Sequence, residues 1–262
     1  MKILAIGDPH GELEKIKKIP IDNIDLILLT GDLGSASLMR KMYFENVERE
    51  KMGEPKVEYT PAQEKEAFME SYDSTIALVE YLAKRAPVAT IFGNVESSNP
   101  ATRKLIRKFG LDLPLLSDDL SAMNNVRVIN NRIMRFGSLR IGGLNYFIDP
   151  CWVKEFKVTG DLVTRSCHDV KTFKRILDNF GALDILVCHQ PPYGILDKVT
   201  SQYAPKHWIG KHAGSKLILD YVKKSKPRFV FCGHIHEDEG EALIGRTRVY
   251  NLGVANYRIL ET

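Results

Sequence analysis

Five short groups of metal-binding residue types punctuate this sequence: Asp8-Pro9-His10, Gly31-Asp32, Gly93-Asn94, His189 and Gly233-His234-Ile235-His236. Together they offer carboxylate, carboxamide and imidazole donors, a mix that suits borderline divalent metals such as Mn, Fe, Zn or Ni. Taken singly, none of these residues says much. An Asp beside a turn is often a helix cap, and a lone His is often a core side chain with its hydrogen bonds satisfied. Position gives the set its weight. Each group follows an apolar, β-rich run, at residues 2–7, 25–30, 88–92, 184–188 and 228–232. Strands of an open α/β sheet lie side by side, so their carboxyl ends meet along one edge, where such folds bind ligands. Side chains from near both ends of the sequence can therefore converge on one site.

The intervening sequence carries the elements that would hold these groups in place. A short helix is predicted over residues 13–18, and the stretch 36–85 is helical and charged. Within it, Thr60-Pro61-Ala62-Gln63 has the form of a helix start, with Thr as cap, Pro in the first turn and Gln closing a capping box. Ala67, Phe68, Tyr72, Ile76, Val79, Tyr81 and Leu82 follow helical spacing, while the Glu/Lys-rich part at 45–56 reads as a solvated face or loop. Asn99-Pro100 opens a helix that ends at Gly110. Short strands follow in succession at 126–129, 132–136 and 139–144, with Asn130-Asn131 as a hairpin turn. Helices are predicted over 169–180 and 215–224, and the tail 241–260 reads as strands turning at Gly245 and Gly253. Two sheets packed face to face with helices outside would accommodate this order.

Bulk properties fit an enzyme-sized globular chain. With 262 residues it can bury one substantial core, and a single domain over residues 1–262 is expected. The sequence is 44% hydrophobic and 27% charged, both ordinary values. A net charge of +4, with Lys and Arg interspersed among acids, gives no basic stripe or tail, so nucleic acid is not an expected partner. The four cysteines, at 151, 167, 188 and 232, form no Cys-x-x-Cys pair and read as small hydrophobes in a reducing compartment. No apolar run approaches the length of a membrane span, and the first residues read as the strand carrying Asp8 rather than as a targeting segment. A cytoplasmic protein without membrane association is expected, and a homo-oligomer is compatible with these features.

In order and type, the five groups resemble the calcineurin-like metallophosphoesterase superfamily, in particular its prokaryotic phosphodiesterase-like branch. The pattern of that superfamily is Asp-x-His, Gly-Asp, Gly-Asn-x-Asp/Glu, a lone His and Gly-His-x-His; here Gly93-Asn94-Val95-Glu96 is the third block. The resemblance runs from Asp8 to His236. It implies a four-layer α/β/β/α sandwich, two packed mixed β-sheets flanked by helices, with a binuclear metal centre. By that likeness Asp8, His10, Asp32 and His236 would hold one ion. Asp32, Asn94, His189 and His234 would hold the other, with Asp32 bridging. Two divalent ions are implied, Mn ahead of Fe, Zn or Ni. The implied chemistry is hydrolysis of a small phosphate ester, most naturally a diester, by a hydroxide bridging the two metals and attacking phosphorus in line. Asp32 and Asn94 would take part directly in catalysis. Pro191 and Pro192 would stiffen the loop carrying His189.

The sequence departs from the pattern at one informative position. Many members carry His between the Asn and the acid of the third block, and here Val95 stands there. Valine can neither contact phosphate nor protonate a leaving group. This disfavours monoesters with poor leaving groups, since general acid catalysis contributes ~10²–10⁴-fold. His212 is the candidate replacement, because Lys211-His212-Ala213-Gly214-Ser215 resembles a Gly-x-His-x-Gly-Ser segment of prokaryotic members that faces the metal centre. Ser215 opens a helix, whose free N–H groups could receive phosphate oxygens. His212, Ser215, Asn94 and Tyr193 are accordingly the candidate substrate contacts. Glu96 is read as orienting Asn94 or a ligand His. His168, His207, Asn145 and Tyr146 have weaker claims. A monoesterase, a nuclease of the same superfamily and a scaffold that kept the fold without the chemistry remain as alternatives. The scaffold reading is countered by the presence of every ligand side chain.

Overall fold

The apolar runs that end in metal-type residues form the centres of two sheets. A computed structural model describes residues 1–202 and 204–261 of the chain. In chain order the first half holds β1 (Lys2–Ile6), α1 (Leu13–Ile16), β2 (Leu26–Leu29), α2 (Ser37–Lys51), α3 (Pro61–Ala83), β3 (Val88–Thr90), α4 (Asn99–Phe109), α5 (Leu116–Ala122) and β4 (Val126–Val128). The second half holds β5 (Arg132–Phe136), β6 (Leu139–Leu144), α6 (Pro150–Glu155), α7 (Asp161–Phe180), β7 (Ile185–Cys188), α8 (Lys216–Ser225), β8 (Phe229–Cys232), β9 (Gly240–Ile244), β10 (Thr247–Asn251) and β11 (Tyr257–Glu261). One sheet has the order β11-β1-β2-β3-β4 and the other β5-β6-β7-β8-β10-β9. The inner strands of both run parallel, with antiparallel strands at edges.

Side-chain alternation explains the layering. In β1, Ile3 and Ala5 face the second sheet and join Ile141, Ile185, Val187 and Phe231 in the core between the sheets. Leu4 and Ile6 of the same strand face outward against Leu78, Val79 and Leu82 of α3. On the far side, Leu186 and Val230 meet Phe173 and Leu177 of α7 and Ile218 of α8. The strands are therefore buried on both faces, which is why they read as continuous apolar runs. The result is the four-layer α/β/β/α sandwich with mixed sheets.

Local signals account for several element ends. Thr60 caps α3 through a capping box with Gln63, as its sequence requires. The cap of α4 is Ser98, one residue before Asn99, and the helix closes at Gly110 in the left-handed conformation. Two expectations are corrected. Asn130-Asn131 is no hairpin turn: β4 pairs with β3 in the first sheet and β5 with β6 in the second, so this dipeptide carries the chain between sheets. Short strands with a turn between them look alike whether they pair or part, because pairing is decided by tertiary packing. The helix expected over 169–180 begins at Asp161. The Glu/Lys-rich 45–56 segment is, as expected, a solvated face: most of it continues α2.

Candidate metal centre

Convergence at the strand ends is close. Asp8, His10, Asp32 and His236 each present one ligand atom such that these atoms all lie within 4.8 Å of one another. His10 Nε2 and His236 Nε2 are 3.2 Å apart, and His236 Nε2 is 3.2 Å from Asp8 Oδ2. A second group adjoins the first. Asn94 Oδ1 lies 3.0 Å from His189 Nε2 and 2.9 Å from His234 Nδ1. Asp32 stands between the two: its Oδ2 is 3.7 Å from His10 Nε2, and its Oδ1 is 3.6 Å from His189 Nε2. One carboxylate thus turns an oxygen toward each group. All seven residues expected to bind metal are brought together. Asp8, Asp32 and His189 form a buried floor, whereas His10, Asn94, His234 and His236 reach toward solvent.

The backbone bends sharply to achieve this. His10, Asp32 and His234 have φ of 46°, 46° and 68°, a left-handed conformation uncommon outside glycine. Such strain persists where the surroundings over-determine it, and it collects at functional sites. Gly93 permits a close approach: a Cβ there would be driven into the Asp32 carboxylate and would lie 2.7 Å from the Asp32 nitrogen, and one at Gly233 would be driven into the Asp8 carboxylate. The glycines that precede the ligands are therefore part of the site.

Polar neighbours hold the ligands in place. Thr30, at the end of β2, donates its hydroxyl to Asp8 Oδ1 at 2.6 Å and accepts from the Asp8 N–H at 3.1 Å. Its carbonyl lies 2.9 Å from His189 Nδ1, leaving Nε2 to face Asp32 and Asn94. Glu96 accepts backbone N–H bonds from Asp32 (3.0 Å), Leu33 (2.6 Å) and Gly93 (2.7 Å). It organises the two ligand-bearing loops, rather than the Asn94 or His side chain expected from sequence. Thr30 was invisible in the sequence, where it is simply another β-branched strand residue.

Electrostatics follow from this packing. Burial pushes the Asp8 carboxyl up, but His189, His236 and the hydrogen bonds from His236 and Thr30 prevail and hold it well below the usual carboxylate range. Burial pushes His10 down to about 4, against the pull of Asp32 and Asp8. His234 is held well below its ordinary value by burial and by the neighbouring His189. Burial alone would also lower His189, yet the flanking Asp32 and Asp8 carboxylates raise it. Burial and the Asp32 charge push Glu96 up to about 7. An ionised carboxylate and neutral imidazoles are the forms that bind metal.

The donor set fits two divalent ions. Oxygen and imidazole nitrogen atoms, no thiolate, and a carboxylate shared between two groups match hard-to-borderline cations. The buried Nδ1 of His10 has no hydrogen-bond partner among the described residues. Arg40, from α2, places a guanidinium nitrogen 3.4 Å from His10 Nε2. A fixed cation at the mouth of such a centre complements an anionic substrate. Its location in the charged helical stretch concealed it in the sequence.

The remaining candidates stand in different relations to this centre. His212 makes no hydrogen bond or ring contact with any of the seven residues among the described residues. Its Nδ1 is 2.6 Å from Asp197 Oδ1, and its ring packs against Tyr193 with centroids 5.4 Å apart. Ser215 is corrected as a substrate contact. It is fully buried, commits its one hydroxyl donor to Asp149 Oδ2 at 2.6 Å and caps α8 by accepting from the Ile218 N–H. Tyr193 is half-buried, with Lys216 Nζ 4.8 Å from its ring. His168 and His207 are exposed. Tyr146, a weak candidate in the sequence, lies against two expected ligands: its ring centroid is 5.9 Å from that of His189 and 5.4 Å from that of His234. Val95 is buried and lines a small apolar cavity with Phe68, Tyr72 and Leu116.

Fold and site together define a metal-dependent phosphoester hydrolase. The family model described as calcineurin-like phosphoesterase matches residues 1–238, and the chain belongs to that family. No curated protein matches the sequence. Among solved structures, one crystal structure superposes with a TM-score of 0.64 at 18% identity, covering 99% of this chain and 94% of the other. Phosphopantetheinyl hydrolase (PptH) from Mycobacterium tuberculosis is similar at a TM-score of 0.52 and 13% identity, over 97% of this chain and 89% of that one. A dimetal phosphatase from Danio rerio is similar at 0.51 and 12%, over 98% and 88%. At these identities the likeness is one of fold. Members of the family depend on a binuclear metal centre. No helix among the described residues is long and apolar enough to cross a membrane.

Proposed function

We propose that this protein is a binuclear phosphodiesterase acting on a small phosphate ester, with manganese as its working metal. The observation that carries the binuclear reading is Asp32, whose two oxygens turn toward two separate ligand groups. Asp8, His10, Asp32 and His236 would hold one ion, and Asp32, Asn94, His189 and His234 the other. Bound divalent ions supply Lewis-acid polarisation of the phosphoryl group and an acidified water. The chain's own residues do the rest. Asp8 and Asp32 concentrate negative charge on the floor. Exposed, neutral Asn94 meets an anionic substrate without repulsion, and Arg40 holds substrate charge at the mouth.

Preference for diesters is supported by what stands near the centre. Position 95 offers no proton donor, because Val95 is turned into an apolar cavity. An alkoxide leaving from a monoester would go unassisted there, whereas a diester with a good leaving group needs less help. The Asp197–His212 pair supports a second reading, in which His212 delivers a proton and monoesters are also cleaved. We place the protein in the cytoplasm, a reading supported by four free cysteines, two of them buried. A net charge of +4 spread over the chain favours a small-molecule substrate over nucleic acid.

The test is turnover of bis(p-nitrophenyl) phosphate beside p-nitrophenyl phosphate, after stripping the protein and reloading it separately with Mn, Ni, Zn and Fe(II). Faster diester cleavage, lost in Asp32→Asn together with one of the two bound ions, is expected. Comparable monoester cleavage that disappears in His212→Ala would support the second reading. Silence with every metal would sink both.

A further inference from the structure

Beside Asn94 the surface opens into a cavity of about 480 Å³, between the end of β6 and the start of α4. Its size is that of a ligand pocket. Because Asn94 lines both the cavity and the metal centre, a phosphoryl group held at the centre would extend its alcohol side into this space. The walls are polar and almost free of unpaired charge. Of the acidic and basic side chains that line it, Glu96 has its oxygens committed to backbone N–H groups. Arg165 is largely exposed, with Nε 3.5 Å from Asp169 Oδ2. The other polar side chains are carboxamides and hydroxyls.

Two of the carboxamides, Asn99 and Asn145, line the cavity with side-chain oxygens that are buried without a hydrogen-bond partner among the described residues. The Asn99 nitrogen is tied down, donating to Asp118 Oδ1 at 2.7 Å, which leaves Asn145, just after β6, as the one of the two free to turn. A buried polar group left unpaired is destabilising, so it gains from a ligand that supplies the missing partner. An amide torsion is broad, so this carboxamide can turn to offer either its oxygen or its nitrogen to a ligand. Asn130, by contrast, is anchored, since its oxygen accepts from the Phe92 N–H at 2.7 Å. Tyr146, next to Asn145, connects the cavity wall to His189 and His234.

We infer that this cavity is the subsite for the alcohol side of the substrate, and that Asn145 selects an uncharged substituent bearing hydroxyl or amide groups, of nucleoside or glycoside kind. A second phosphate or a carboxylate would enter a space whose one cation is already paired at its rim. A purely apolar substituent would leave the carboxamides unmatched. This inference rests on the phosphodiesterase reading for its catalytic consequence, though the pocket itself can be tested without turnover.

Three p-nitrophenyl esters test it with the Mn-loaded protein: thymidine 5′-(p-nitrophenyl phosphate), the same compound carrying a 3′-phosphate, and bis(p-nitrophenyl) phosphate. The neutral nucleoside ester should show the highest kcat/KM. Its advantage over the bis-ester should fall about tenfold in Asn145→Ala, the equivalent of one lost hydrogen bond, mainly through KM. Asn145→Asp, which keeps shape and an acceptor, should retain more of that advantage. Preference for the 3′-phosphorylated ester would overturn the inference in favour of an anion subsite at Arg165. An unchanged ratio in Asn145→Ala would overturn it outright. If no ester is cleaved with any metal, the phosphodiesterase reading has failed. Saturation-transfer NMR with thymidine and metal-free protein then decides the pocket: transfer to sugar protons, lost in Asn145→Ala, supports it, and no transfer to the wild type removes it.

Discussion

At the scale of single residues, the informative contrast is between Asp32 and Val95, two residues beyond the Gly93 that packs against Asp32. Val95 occupies the position where many relatives carry a histidine, yet its side chain packs against Phe68, Tyr72 and Leu116 instead of facing the metal residues. Val95→His would force an imidazole into that apolar space. We expect a loss of about 1–3 kcal/mol from overpacking and desolvation, read by urea titration, with no gain in monoester cleavage. A gain in monoesterase activity would show that position 95 can reach the substrate. Arg40→Ala should raise KM for phosphate esters about tenfold with a smaller change in kcat, because the guanidinium bears on substrate charge rather than on the ligands; steady-state kinetics on the metal-loaded protein measure it.

At the scale of elements, the loops after β1, β2 and β3 act as one unit. Glu96 in the third loop holds the N–H groups of Asp32 and Leu33 in the second, and Thr30 at the end of β2 holds Asp8 after β1. Glu96→Gln would put an N–H donor among three N–H groups that need an acceptor. Metal affinity should fall by about 10–100-fold, as for other groups that orient ligands, and isothermal titration with Mn measures it. Gly93→Ala should be harsher, since its methyl group collides with Asp32, and loss of bound metal by elemental analysis should accompany a lowered Tm. The capping box of α3 is a control far from the chemistry. Thr60→Ala should cost about 1 kcal/mol of stability by thermal melting and leave turnover intact.

At the scale of the whole molecule, three apolar cores hold the four layers together, one between the sheets and one beneath each outer layer of helices. None of them needs a metal ion. Stripping with a chelator should therefore lower Tm and abolish activity while the far-ultraviolet dichroism of the folded chain persists at 25 °C. Adding Mn at about 100 times its Kd should restore roughly 2.7 kcal/mol per independent site. Unfolding on chelation would mean that the centre, and not the cores, holds the layers together.

Much of this was legible in the sequence for a simple reason. Apolar runs of strand length ending in Asp, Asn or His can be read locally, and parallel strands must bring their carboxyl ends to one edge. The order of the five groups, the family resemblance, the capping box at Thr60 and the layered architecture all rest on such short-range patterns. Other features depended on the tertiary structure, because they arise between residues distant in sequence. The crossing of the chain from one sheet to the other at Asn130-Asn131 depends on which strands pair. The placement of Arg40 at His10, the hold of Thr30 on Asp8 and His189, and the engagement of Glu96 with backbone rather than side chains depend on how neighbouring loops pack. Ser215 looked free as a helix-opening serine until Asp149, 66 positions away in sequence, took its hydroxyl. Residue types state what chemistry a chain can perform; only packing decides which of those side chains are left free to perform it.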